Sequence, residues 1–167
     1  MALSDEATLV IIKPDAIQKG LTGLVMDRLA QTPLRIVAAK ALRVSRALAE
    51  QHYQHLQHKP FFQELIAHLI GELHQADIVL AFIYMGPNAI TVVRELAGAT
   101  NPEKAGPRTL RGAFGRNTAQ GWMENVIHAS SDAAETEREI KLWFSPDEIL
   151  VPLYPTKQET GTRLAWQ

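Results

Sequence analysis

An α/β sandwich, with one four-stranded sheet covered by helices, is the fold class the sequence predicts. Three observations carry that prediction. Apolar runs alternate with amphipathic stretches in the order strand, helix, strand, two helices, strand, helix, loop, strand, helix. One run, IVLAFIYM at 78–85, is too apolar to have a wet face. The chain has 167 residues, 46% of them hydrophobic, enough for one domain with a sizeable core. Helices are expected over one face of the sheet, with 1–167 a single domain and 156–167 a C-terminal tail.

TLVIIKPD (8–15) reads as an apolar strand ending at Lys-Pro-Asp. Proline cannot continue a ladder, so Lys13 stands at the strand's mouth. Gly20 and Gly23 bracket a turn, and LVMDRLAQ follows as a helix expected to put Leu24, Val25 and Leu29 on one face. Residues 34–44 form a second strand, apolar in IVAA and ended by Lys40 and Arg43. Ser45 can cap the next helix, RALAEQHYQHLQHK. His52, His55 and His58 step by three along it, but no acid or cysteine completes a ligand set. They read as solvated helix histidines. Pro60 breaks that helix and starts another, PFFQELIAHLIG, with Phe61, Leu65 and Leu69 on one half-buried face. A polar connection over 71–77 leads to the buried strand at 78–85. Pro87 and Asn88 open a helix that carries Arg94 and ends at Gly98.

GATNPEKAGPRTLRGAFGRNTAQGW (98–122) should be a long loop, and long loops in compact domains tend to be functional. It sets Lys104, Arg108, Arg111 and Arg116 against Glu103, and adds the Thr100 and Thr109 hydroxyls. Such a loop either grips a polyanion, most simply phosphates, or is a solvated charge run. The pattern GxxxxGK[ST] is absent, so it is not a P-loop.

NVIHASSDAAETEREIKLWF (125–144) is the other informative stretch. Asp132 followed by Glu135 is a capping pair that starts a helix. A chain reversal would bring Glu139 on that helix back onto His128, fixing the tautomer and freeing the other ring nitrogen as a nucleophile. The alternative is a histidine packed under a helix, with Glu139 an ordinary surface acid. Ser145 and Pro146 end the helix, DEILVPLYP runs on extended, and the tail is polar apart from Leu164 and Trp166. That tail is expected on the surface or against a neighbouring subunit.

Bulk properties exclude several classes. Net charge is −1 and the pI about 6.6, which argues against a bulk nucleic-acid or anionic-membrane partner. Without cysteine there is no disulfide framework, thiol nucleophile or cysteine zinc site. MALSDEAT lacks the apolar core of a secretory signal, and no apolar run approaches the roughly 20 residues that span a bilayer. A soluble, cytoplasmic protein is expected.

Taken together, TLVIIKPDAIQKGLTG, HYQHLQHKPFFQELI, GATNPEKAGPRTLRG and NVIHASSD followed by EREIKLWF resemble the nucleoside diphosphate kinases, in order, from about residue 8 to 150. The resemblance implies a ferredoxin-like fold, a four-stranded antiparallel sheet covered by helices. It implies ping-pong transfer of the γ-phosphate from a nucleoside triphosphate to a nucleoside diphosphate, with His128 phosphorylated on its δ nitrogen and Glu139 holding the other. Lys13, Arg94, Thr100 and Arg111 would grip phosphates, with Tyr53 beside His128. Asn125 and Lys13 would reach the ribose, Phe61 would stack on the base beside Leu65, and Ser130 matches the family's serine behind the histidine. Mg2+ would bridge the nucleotide phosphates, with few or no direct protein ligands. Homo-oligomers, tetramers or hexamers built from a dimer, are implied as well. The alternative is a regulatory module that keeps the fold and transfers nothing. Such a module should lack the nucleophile or a phosphate arginine, and His128, Lys13, Arg94 and Arg111 are all present.

Four features depart from the family pattern: a longer segment between Phe114 and Asn125, Arg108 in place of glycine, Ala113 in place of an acid, and ASSDA after the histidine. The long segment is expected to alter nucleotide entry or subunit contact.

Overall fold

β1 (Asp5–Ile12) lies inside the sheet, flanked by two antiparallel neighbours. The computed structural model describes residues 5–158 and 164–166, the last three as backbone only. β1 pairs with β3 (Val79–Pro87) on one side and β6 (Ile127–Ala129) on the other. β2 (Arg35–Leu42) completes the sheet outside β3, giving the order β2-β3-β1-β6, antiparallel throughout.

Leu9, Val10, Ile11 and Ile12 are all 0% exposed, although their side chains alternate between faces. Both faces must therefore be covered, not the single face expected. An apolar run without alternation is the mark of a strand buried on both sides. Leu9 and Ile11 meet α3 (Arg46–His52), α4 (Phe62–Leu69) and α7 (Ala133–Trp143) through Ala49, Ile66, Leu69, Ile140 and Trp143. Val10 and Ile12 face the core formed with α2 (Thr22–Ala30) and α5 (Ala89–Ala97), through Val25, Leu29, Val93 and Ala97. Each fully buried aliphatic side chain contributes about 1.5–3 kcal/mol.

Several expected elements come out differently. In α2, Val25 and Leu29 are buried four residues apart, while Leu24 is 51% exposed because it sits about 100° further round the helix. The helix expected from Ser45 to Lys59 stops at His52 and tightens into a 3₁₀ turn, Gln54–Leu56. The 98–122 loop contains a 3₁₀ turn, Pro102–Lys104, and a helix, α6 (Leu110–Phe114), capped by the Thr109 hydroxyl on the Gly112 N–H. The extended DEILVPLYP begins with a 3₁₀ turn, Pro146–Glu148. The long segment after Phe114 forms a hairpin of β4 (Arg116–Asn117) and β5 (Met123–Glu124). In the tail, β7 (Thr156–Gln158) and β8 (Leu164–Trp166) pair as a ribbon. The expected placement of the Leu164 and Trp166 side chains, like residues 1–4, 159–163 and 167, lies outside the described residues.

Candidate active site

The end of β1 and the start of β6 lie side by side, and this juxtaposition builds the site. Lys13 follows β1 and opens α1 (Pro14–Gln18). Its backbone N–H donates to the Val126 carbonyl at 3.0 Å, and the Asp15 Oδ2 accepts from the Val126 N–H at 2.9 Å. Val126 needs both, because its φ of 71° is a left-handed conformation that a β-branched residue avoids. Strain of this kind costs on the order of 1–3 kcal/mol and persists only where neighbours enforce it. The enforced turn points Asn125 at Lys13: the Nζ donates to Asn125 Oδ1 at 2.6 Å, while Asn125 Nδ2 donates to the Thr100 carbonyl at 3.0 Å. Burial pulls the Lys13 ammonium down to about 8; Asp15 raises it and Arg111 lowers it further.

Two residues past the turn, His128 lies opposite Ile11. Its Nε2 is 2.9 Å from Glu139 Oε2, and the same oxygen accepts from the Ser130 hydroxyl at 2.6 Å. Glu139 reaches back because α7 reverses the chain after Asp132, whose carboxylate caps the Glu135 N–H. Burial opposes ionisation of Glu139, yet His128, Ser130 and Arg138 outweigh it and hold its carboxyl below the usual range. An ionised carboxylate accepts only, so Nε2 carries the proton and Nδ1 keeps a free lone pair.

That ring opens on a cleft of about 350 Å³. Lys13, Arg94 and Arg111 line it, and none of the three forms an ion pair with a carboxylate among the described residues. Arg111 is anchored by carbonyls, Gly98 at 2.8 Å and Ile127 at 2.9 Å, leaving its Nε buried with no partner among the described residues. Burial lowers this guanidinium to about 10. Tyr53, Thr100 and Asn125 line the same cleft, its hydroxyl in the case of Tyr53 pushed up by burial. Leu65 and Phe61 lie on the wall formed by the α4 end, with Phe61 45% exposed. The structure thus brings every predicted site residue to one place, with Ser130 behind Glu139. From the cationic loop, however, only Arg111 arrives. Arg116 pairs with Glu124 at 2.6 Å, and Lys104 and Arg108 are exposed away from the cleft.

Sequence reasoning missed three neighbours. His52 is 0% exposed and not solvated as expected; it shares the buried side of α3 with Ala49. Its Nδ1 accepts from Trp143 Nε1 at 3.1 Å, and its ring lies 4.4 Å from that of His128, edge to face. The step of three that grouped it with the exposed His55 and His58 fails because the helix ends at His52. His68 lines the cleft, and its spacing of seven from Phe61 and three from Leu65 would have placed it there. Met123, in the hairpin, lines the cleft too, and no local pattern marks it.

A sequence profile described as "Nucleoside diphosphate kinase" matches residues 6–149. The nucleoside diphosphate kinase of Archaeoglobus fulgidus is 46% identical over 145 residues, 87% of this chain and 90% of that protein. That of Symbiobacterium thermophilum is 45% identical over 143 residues, 86% and 89% of the two chains. Among solved structures, the Borrelia burgdorferi enzyme with bound vanadate and ADP, described as a transition-state mimic, aligns with a TM-score of 0.79 at 36% identity, covering 89% of this chain and 92% of that one. The Halobacterium salinarum enzyme in complex with CDP gives 0.79 at 37% identity, covering 91% and 95%. A match running through both the sheet and the cleft, at this identity, is more than a shared fold: the chain belongs to the nucleoside diphosphate kinase family.

Proposed function

We propose that this kinase relays the γ-phosphate through the Nδ1 of His128. One observation carries the reading: a histidine whose Nε2–H is engaged by Glu139 at 2.9 Å sits in a cleft lined by three cations that no carboxylate among the described residues pairs. In the first half-reaction Nδ1 forms a bond to the γ-phosphorus, the bond from that phosphorus to the β-bridging oxygen breaks, and the nucleoside diphosphate leaves. The second half-reaction reverses these steps with another diphosphate. Glu139 keeps the Nε2 proton in place and offsets the charge on the ring. Lys13, Arg94 and Arg111 take up charge on the phosphates, the Thr100 hydroxyl adds a donor, and Tyr53 lines the same cleft. Lys13 and Asn125 serve the sugar hydroxyls, while Phe61 and Leu65 give the base an apolar wall that accepts any ring.

Magnesium fits this cleft only as a passenger. Glu139 is committed to His128 and Ser130 and Glu135 to Arg138, which leaves Glu64 as the one other carboxylate lining the cleft beside Lys13, Arg94 and Arg111, so phosphate oxygens would be the ion's main ligands. When bound, it supplies further charge neutralisation. Exposed apolar residues such as Ile36 at 41% and Leu150 at 82% support assembly into a homo-oligomer built from dimers, which light scattering would test. No helix among the described residues is long and apolar enough to cross a membrane, and nucleotide substrates favour the cytoplasm as the place of work.

The test is direct. γ-labelled ATP with magnesium should leave an acid-labile, base-stable phosphate on the protein, and His128→Ala should remove it. Label that survives the substitution would move the relay to another residue.

A further inference from the structure

Two groups of three among the described residues bring metal-ligating atoms within 4.8 Å of one another. One, His52, His128 and Glu139, belongs to the active site. The other, Asp15, His68 and His74, lies beside it: His68 also lines the cleft, Asp15 is sealed, and none of the three is assigned a step in phosphate transfer. We propose that Asp15, His68 and His74 form a site for a divalent transition metal of zinc's class.

Each member is prepared for ligation. His74 is 2% exposed at its side chain, and its Nδ1 lies 3.2 Å from Gln18 Oε1. A carbonyl oxygen can only accept, so Nδ1 bears the proton and Nε2 presents a lone pair. That Nε2 is buried and has no hydrogen-bond partner among the described residues. An orphaned acceptor is costly, and an outer carbonyl that fixes the tautomer is the usual setting of a metal-bound imidazole. His68 Nε2 lies 3.0 Å from Asp15 Oδ1, and its ring centroid is 4.7 Å from that of His74. Shifting the His68 proton from Nε2 to Nδ1 would free it to bind with no proton released. Asp15 is 0% exposed, and its other oxygen is oriented by the Val126 N–H at 2.9 Å.

Two imidazole nitrogens and one carboxylate oxygen suit zinc, cobalt or nickel, whereas calcium and magnesium want oxygen alone. Three protein ligands leave a fourth position for water. The neighbouring charges are mixed: Lys13 and Lys19 repel a dication, and Glu124, 3.9 Å from His74 Nδ1, attracts one. An ion here would fasten α1 to α4 and to the 71–77 connection, beneath the turn that carries Asn125.

The experiment titrates the full-length, chelator-stripped, nucleotide-free protein with Co2+ alone, then with Zn2+ as competitor. The expected result is a single ion per chain with the visible bands of tetrahedral cobalt, displaced by zinc. His74→Gln should weaken binding about 100-fold and Gln18→Leu about 10-fold, with His58→Gln unchanged. Wild-type protein that gives no tetrahedral bands would overturn the proposal. So would binding that survives His74→Gln and disappears in His128→Ala, which would put the ion in the active site.

Discussion

Two histidine–carboxylate pairs flank Lys13, and they differ in what surrounds them more than in their own geometry. His128 meets Glu139 at 2.9 Å and His68 meets Asp15 at 3.0 Å. Each carboxylate takes a second hydrogen bond, from Ser130 in one case and Val126 in the other. Each ring touches another histidine, His52 at 4.4 Å or His74 at 4.7 Å. The His128 side chain is 16% exposed on a cleft whose cations no carboxylate among the described residues pairs, while that of His68, at the cleft's edge, is 7% exposed and its aspartate is wholly sealed. A nucleophile needs an open face and a neighbourhood that accepts phosphate. The same pair without them holds a strained turn.

If this contrast is right, the largest effects should separate cleanly. His128→Ala should lower kcat by at least about 10³-fold and cost only about 1 kcal/mol in urea melts, since Glu139 keeps its hydrogen bond from Ser130. Asp15→Ala should do the reverse in kind, losing about 2–4 kcal/mol in urea melts, because it strands the Val126 N–H and removes the support of a left-handed valine. An Asp15→Ala protein of wild-type stability would erase the distinction. Next in size, Glu139→Gln should cut kcat about 10²- to 10⁴-fold. A side-chain amide can donate to Nε2 and drive the proton onto Nδ1, blocking the attacking lone pair. Steady-state kinetics with little change would show that the carboxylate sets no tautomer.

Lys13, shared by the two regions, gives a pH test. Its charge is lost in the free enzyme as pH rises through about 8, so kcat/KM should fall there, and Lys13→Arg should remove the fall. Stability should move the opposite way. With the folded value depressed to about 8 from 10.5, the unfolded chain binds more protons between them, so stability rises with pH across that window. Parallel rate and melting profiles that fall together above pH 8 would exclude this role. The smallest effect belongs to the cleft's rim: Phe61→Ala should raise KM about 5- to 50-fold, similarly for purine and pyrimidine nucleotides. A loss confined to one base class would argue against stacking.

The exposed and sealed regions also differed in how far the sequence revealed them. β1 and β3 announced burial by unbroken apolar runs, and Asp132 with Glu135 announced the helix that returns Glu139 to His128. Beyond the spacing that sets His68 on the face of Phe61 and Leu65, the Asp15–His68–His74 cluster left no such trace. His68 is 53 residues from Asp15, and His74 sits in a connection that reads as polar and featureless. Their meeting depends on α4 docking beside α1, a tertiary event with no local pattern. The 98–122 loop was misjudged for a related reason. Its helix α6 is started by Thr109 and packs so closely that a Cβ on Gly112 would come within 2.1 Å of the Gly106 carbonyl oxygen, a fit that composition does not express.

The account rests on which nitrogen of His128 is free, and phosphorus–nitrogen correlated NMR of the phosphorylated protein after a single turnover reads that atom. Glu139 occupies Nε2, so the phosphate should be on Nδ1. Phosphate on Nε2, or on any other side chain, would contradict the geometry on which the mechanism is built.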